Sequence, residues 1–214
     1  MTCTQCQGIE DLFNEETVQY ELSKYHTKGA AKTTRLLVTG LKERGVQGAT
    51  LLDIGGGLGV VHLELLMAGA QSATDVDASQ AYLRAAQAEA ERRGMADRVQ
   101  FAHGNFVELA ANIQPADIVT LDRVICCYPD VEQMVSLSAG RARRLYGLVY
   151  PRDVWWVKLE AVIFNFLMRL RKKSFRFFPH PSGPIEVILQ KNGLHRFYHR
   201  HTFFWQVALY AREP

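Results

Sequence analysis

Short apolar runs alternate along the chain with longer stretches in which apolar residues recur every three or four positions. The runs at about 49–54, 72–77, 98–102, 116–121 and 145–150 predict strands, the last closed by Pro151. Residues 116–121 read as a strand covered on both faces. Helical periodicity fills the gaps between them. It covers 29–44, where Leu36, Leu37 and Leu41 share a face and Gly45 is the stop. It returns at about 58–68, at 79–93 with Ser79 as N-cap and Gly94 as stop, and at 130–142. Five strands alternating with helices predict an α/β fold, a Rossmann-like doubly wound sheet with right-handed crossovers. A ligand of such a sheet sits outside the carboxyl ends of its strands, near the switch point.

The flanks follow other rules. Residues 9–25 mix acids with Ile9, Leu12, Phe13, Val18 and Leu22 at helical spacing, which predicts one or two short helices. Residues 154–170 predict a long helix apolar nearly all round. One stripe holds Trp155, Trp156, Leu159, Val162, Ile163, Phe166, Leu167 and Leu170; the other side holds Val154, Val157, Ala161, Phe164 and Met168. Lys158, Glu160 and Asn165 interrupt the run, so it does not read as a membrane span. Three roles stay open for it: core or cap, lid over an apolar substrate, or contact with a membrane surface. A loop at 180–182 and a short helix at 185–191 come next, and 194–212 reads as two antiparallel strands. We expect a single domain over 1–214: a helical cap (1–45), a ligand-binding core (49–150), lid or substrate helices (151–192) and a C-terminal hairpin (193–214).

A length of 214 residues suits one domain, and 48% apolar with 22% charged residues is ordinary for a globular protein. A net charge of +3 with no long Lys/Arg run argues against a nucleic-acid partner. The N-terminus has no apolar signal region, which points to a cytoplasmic protein with reduced thiols. Cys3 and Cys6 have Cys-x-x-Cys spacing and Cys126 and Cys127 are adjacent, a poor set for a tetrahedral metal, so no metal site is expected. Lys32-Thr33 lacks the preceding glycine and strand of a phosphate loop.

The chemistry gathers at Leu51-Leu52-Asp53-Ile54-Gly55-Gly56-Gly57-Leu58-Gly59. Glycines between a strand and a helix let backbone approach a ligand closely. The dinucleotide spacing fails, because its third glycine would fall at Val60 or His62. Asp53 followed by Gly55, Gly57 and Gly59 instead resembles the first motif of class I S-adenosylmethionine (SAM) dependent methyltransferases. SAM needs recognition of its methionine, ribose and adenine parts. Gly55, Gly57 and Gly59 would approach the methionine part, with Asp53 near its amino group. Asp77, at about the 20-residue spacing expected of a ribose acid, would take the diol, with Asp75 as the alternative. Asn105 and Phe106, after the third strand, would meet the adenine.

The resemblance covers about 49–150. It implies SAM as cofactor and a seven-stranded, mostly parallel sheet with an antiparallel C-terminal hairpin. More narrowly, Tyr128-Pro129, the segment from Pro151 to Trp156, His180 and Phe203-Phe204 resemble magnesium-protoporphyrin IX methyltransferases, which esterify a porphyrin propionate. Here Cys127 stands where that family has a histidine, and Leu12 where it has an aromatic residue. The expected activity is methyl transfer to oxygen, carboxylate or hydroxyl, of a small apolar acceptor. Asp122, Arg123 and Tyr128 are the expected catalytic residues, with Arg123 pairing either with an acidic acceptor or only with Asp122. Tyr25 and His26 would close over the site, although His26 also reads as a surface residue. The alternatives are a SAM-binding protein without transferase activity and a nucleic-acid methyltransferase. The acceptor's identity and the oligomeric state stay open.

Overall fold

The computed structural model describes residues 4–213, with side chains from residue 7. Cys3 and the side chain of Cys6 fall outside, and the Cys-x-x-Cys reading with them.

Seven strands form one sheet: β1 (Thr50–Ile54), β2 (Ser72–Asp77), β3 (Val99–His103), β4 (Ala116–Asp122), β5 (Ala142–Pro151), β6 (Leu194–His201) and β7 (Trp205–Arg212). Their spatial order is β3-β2-β1-β4-β5-β7-β6. The first five are parallel, and β7 runs antiparallel to β5 and β6. The order reverses between β1 and β4, and this opens a crevice at their carboxyl ends. β5 begins three residues earlier than its apolar run, because Ala142 still pairs with Ala116 across a bulge.

Among the described residues, nine α-helices connect and cover the sheet: α1 (Thr4–Leu12), α2 (Glu15–Lys28), α3 (Lys32–Lys42), α4 (Val60–Met67), α5 (Gln80–Arg92), α6 (Phe106–Leu109), α7 (Val131–Arg141), α8 (Trp155–Leu170) and α9 (Ser182–Lys191). Alternation along each strand divides the core. In β1, Leu51 packs with Leu37, Leu41 and Leu65 of α3 and α4 on one face. Leu52 and Ile54 pack with Met134 and Val135 of α7 on the other. Local signals set the helix starts: Asn14, Ser79, Asn105 and Asp130 each accept a backbone N–H of the turn they cap.

Two regions shape the site. Val18 of α2 packs with Leu58, Ala81, Tyr82 and Ala85, so the N-terminal helices lean over the glycine loop and the start of α5. α8 is attached by its minor stripe: Val157, Ala161 and Met168 are buried, whereas Trp155, Leu159, Val162, Ile163, Phe166, Leu167 and Leu170 are exposed. The core reading of the helix therefore holds for the narrower side only. Asn165, the interruption in its apolar run, exchanges two 2.8 Å hydrogen bonds with the backbone of Phe177 and ties the following segment to the helix.

Candidate active site

β1 ends in the glycine loop. Gly55, Gly57 and Gly59 have φ of 64°, 58° and 76°, which side-chain-bearing residues rarely adopt. The Gly55 N–H donates to Val76 O (2.7 Å) and the Gly59 N–H to Gly56 O (2.9 Å), so the loop folds back over β2. A Cβ at Gly55 would strike Val124 and one at Gly59 would strike His62, but one at Gly57 meets nothing nearer than the Tyr82 ring at 3.8 Å. Of these three glycines, Gly57 is the one where an added Cβ would make only ordinary contact, and it lines the cavity.

Asp53 does not face that space. It is buried, with Oδ2 3.0 Å from His62 Nδ1 and Oδ1 accepting from Thr120 Oγ1 at 2.7 Å. Asp53 does not line the cavity, so of its two expected contacts with a ligand's amino group, direct or through water, only the indirect one fits this placement. Asp53 sits beneath the loop and braces β1 against β4 and α4, because an apolar strand flanked by apolar strands leaves its carboxylate only buried donors. Thr120, inside a strand read as apolar, and His62 are the partners it requires. Asp75 is likewise buried, packed against Gly56, where an added Cβ would overlap its Oδ1. Burial first, then the charges of Asp53 and Asp77, push its carboxyl well up.

Asp77 reaches the cavity. Its Oδ2 accepts the Gly57 N–H at 3.0 Å and its Oδ1 the Ser79 N–H at 2.8 Å, linking the glycine loop to the start of α5. Burial pushes its carboxyl up to about 6, against the opposing effect of those two N–H groups. Asn105, at the next strand end, accepts the Val107 N–H through Oδ1, and its Nδ2 donates to Glu108 (3.2 Å) and to the Tyr128 hydroxyl (3.4 Å). Phe106 is buried beneath it and also lines the cavity.

Beyond β4, Asp122 accepts from Thr34 of α3 through Oδ2 and from Arg123 Nε through Oδ1 at 3.1 Å. Arg123 itself has φ 65°, a strained conformation for its residue type, held by its N–H donating to Val149 O at 2.8 Å. The turn carrying Tyr128 is clamped from outside: His180 Nε2 lies 3.0 Å from Ile125 O and 2.9 Å from Tyr128 O, and the Phe178 N–H donates to Cys126 O. Desolvation lowers the His180 pKa, and the two carbonyls oppose it. Of the two residues expected to close over the site, Tyr25 lines it, whereas His26 turns away to Glu89 at 2.7 Å.

These elements surround a cavity of about 500 Å³. The glycine loop, Asp77 and Asn105 form one wall, and Asp122, Arg123 and Tyr128 another. Phe13, Tyr20, Phe175, Phe177 and Trp205 add aromatic surface to a lining that is otherwise mostly aliphatic, with Glu21 and Lys24 as further charged groups. Its size suits a small-molecule site. The sequence reading missed Thr34, Glu21 and Tyr82. Thr34 is buried on the helix face that carries Leu37, Val38 and Leu41, and that was its available signal. Glu21 and Tyr82 carry no such mark; the Tyr82 hydroxyl donates to Glu21 Oε2 at 2.6 Å across two helices far apart in sequence.

Comparison with known proteins fits this geometry. Residues 51–144 match a family model described as a methyltransferase domain. Ribosomal protein L11 methyltransferase of Pasteurella multocida (strain Pm70) is 30% identical over 110 residues, 50% of this chain and 37% of that protein. The protein of that name from Dechloromonas aromatica (strain RCB) is 31% identical over 137 residues, 62% of this chain and 46% of that protein. The chain thus matches less than half the length of these curated relatives. Among solved structures, magnesium protoporphyrin IX methyltransferase from Synechocystis PCC 6803 with bound S-adenosylhomocysteine superposes with a TM-score of 0.76 at 19% identity, covering 98% of this chain and all of that one. At that identity the likeness concerns the fold, a seven-stranded, mostly parallel sheet with an antiparallel C-terminal hairpin.

Proposed function

We propose, for a chain with the class I SAM-dependent methyltransferase fold and a methyltransferase domain at residues 51–144, that it transfers the methyl group of SAM to an oxygen of a small, largely apolar acceptor, a carboxylate foremost. One observation carries the reading. Gly57 of the glycine loop, the carboxylate of Asp77 and the guanidinium-bearing Arg123 line one cavity, together with several aromatic side chains.

The residues present fit the cofactor. The bare face of Gly57 leaves room for a ligand at the loop. Asp77, with two lone-pair sites beyond its two backbone N–H bonds, can accept from vicinal hydroxyls. Asn105 and Phe106 offer an amide and an apolar wall. When bound, SAM supplies the electrophilic methyl, so the protein's own task is to bind, orient and exclude water. The N-terminal helices and the segment carrying Phe175 and Phe177 contribute to the cavity lining.

Arg123, one of two cations lining the cavity with Lys24, is placed to pair with an acidic acceptor, and its strained backbone and the carboxylate of Asp122 aim it. A carboxylate acceptor is already ionised at neutral pH and needs no general base. That suits Asp122, whose two oxygens are held by Thr34 and Arg123. For a hydroxyl acceptor the group to take its proton would be Glu21, which lines the cavity beside Tyr82.

Thermal-shift assays with SAM, S-adenosylhomocysteine and NAD test the cofactor: the first two should raise Tm, and a response to NAD alone refutes the reading. A radiolabelled-methyl screen then tests transfer, with aromatic carboxylic acids, phenols and polypeptides including ribosomal protein L11 as acceptors. Label released as methanol by mild alkali identifies a methyl ester. Binding of SAM without label on any acceptor would leave the chain a SAM-binding protein.

A further inference from the structure

We propose that the outer face of α8 docks on an anionic lipid surface. Eight of the eleven exposed large apolar side chains among the described residues lie in one patch: Trp155, Leu159, Val162, Ile163, Phe166, Leu167 and Leu170 of α8, with Phe203 beside them. Phe203 is 76% exposed and stacks on Trp156 with ring centroids 5.8 Å apart, which joins the β6–β7 turn to the helix. A contiguous patch of this kind marks an interaction surface, whereas scattered apolar residues do not.

Charge identifies what covers it. Arg169, Arg171, Lys172 and Lys173 crowd the carboxyl end of the helix, all exposed and none in an ion pair among the described residues. Arg152 and Lys158 stand at the other end. Against these six cations the segment carries only Asp153 and Glu160, and Asp153 is already paired with Lys158 at 2.6 Å. A second copy laid on this face would set one cationic surplus against another. An anionic bilayer answers both features, taking the apolar stripe among its acyl chains and the basic side chains at its headgroups.

Length fixes the mode. No helix among the described residues is long and apolar enough to cross a membrane. At about 1.5 Å per residue, the 16 residues of α8 reach roughly 24 Å, and its inner side is committed to Val157, Ala161 and Met168. The helix therefore lies in the plane of the interface. The inference is independent of methyl transfer.

Flotation with vesicles of phosphatidylcholine alone, or mixed with phosphatidylglycerol, tests it on the intact protein. The protein should float with the mixed vesicles, less at high salt, and the fluorescence of Trp155 should shift to the blue. Each cation near an anionic surface contributes roughly a factor of five, so R171Q with K173Q should weaken partitioning about 30-fold. I163D with F166D should abolish it while far-UV circular dichroism and Tm stay unchanged, since both side chains already face outward. Absence of wild-type binding to anionic vesicles, or undiminished binding by I163D/F166D, overturns the proposal. So does a concentration-dependent dimer that I163D/F166D dissociates without any vesicle binding by the wild type, because the face would then belong to a second copy.

Discussion

The bare face of Gly57 makes the sharpest test of the cofactor site. Alanine there adds one methyl group, which the fold has room for, since the nearest atom is the Tyr82 ring at 3.8 Å. The cost to the folded protein is the backbone. At φ 58° an L-residue loses about 1–2 kcal/mol relative to glycine, offset by about 0.4–1 kcal/mol from the stiffer unfolded chain. A net loss of about 1 kcal/mol corresponds to roughly 2–4 °C in Tm for a chain of this size. The cost to binding should be far larger, because Gly57 lines the cavity and its backbone is part of the loop the ligand must approach closely. SAM at 100 times its Kd should stabilise the wild type by about 2.7 kcal/mol, or about 5–10 °C. In Gly57→Ala that shift should vanish. Gly56→Ala is the opposite case: its methyl would overlap buried Asp75, which should remove about 1–3 kcal/mol of stability by overpacking while leaving the ligand shift in place. Differential scanning fluorimetry and calorimetric titration measure both quantities. A Gly57→Ala variant that keeps the full SAM shift would refute the cradle assignment.

Other expectations follow from the same geometry. Asp77, its carboxyl pushed up to about 6 by burial, holds its proton more tightly folded than unfolded, so it adds stability below the ordinary carboxylate range that is lost as pH rises toward 6. Its acceptor strength for a diol runs the other way: SAM affinity should fall as pH drops through about 6, with the inflection absent in Asp77→Asn, and a pH-independent Kd in the wild type would count against the ribose role. Thr120→Val leaves Asp53 Oδ1 without its buried donor and should lower unfolding free energy by about 1–3 kcal/mol, read from urea denaturation. Arg123→Asn keeps a residue tolerant of positive φ but removes the charge. With an acidic acceptor, kcat/KM should drop roughly 10–100-fold, the loss of a charge-assisted hydrogen bond, while the SAM Kd holds. An unchanged kcat/KM would place acceptor recognition elsewhere.

Much of this architecture was legible in the chain, for local reasons. Short apolar runs split by capped helices leave few alternatives to a parallel sheet, and Ser79 and Asp130 announce helix starts through interactions within three residues. The glycine spacing after β1 pointed to the loop, and Asp77, Asn105, Asp122 and Tyr128 do line one cavity. Equivalent periodicity did not tell which side of α8 packs. Both stripes are apolar, so the choice fell to the neighbours, and the hydrogen bonds of Asn165 to Phe177 turned the larger stripe outward.

The sequence by itself determined the order of elements, the glycine loop and the strand-end positions of the polar groups, because these depend on residues close together in the chain. Only the tertiary structure decided where each polar group points. Asp53 and Asp77 look alike as acids ending strands. One is sealed between His62 and Thr120, the other opens on the cavity, because partners brought in from β4 and α4 satisfy the first, while the second lies at the carboxyl edge of the sheet. The Glu21–Tyr82 and Thr34–Asp122 contacts are of the same long-range kind.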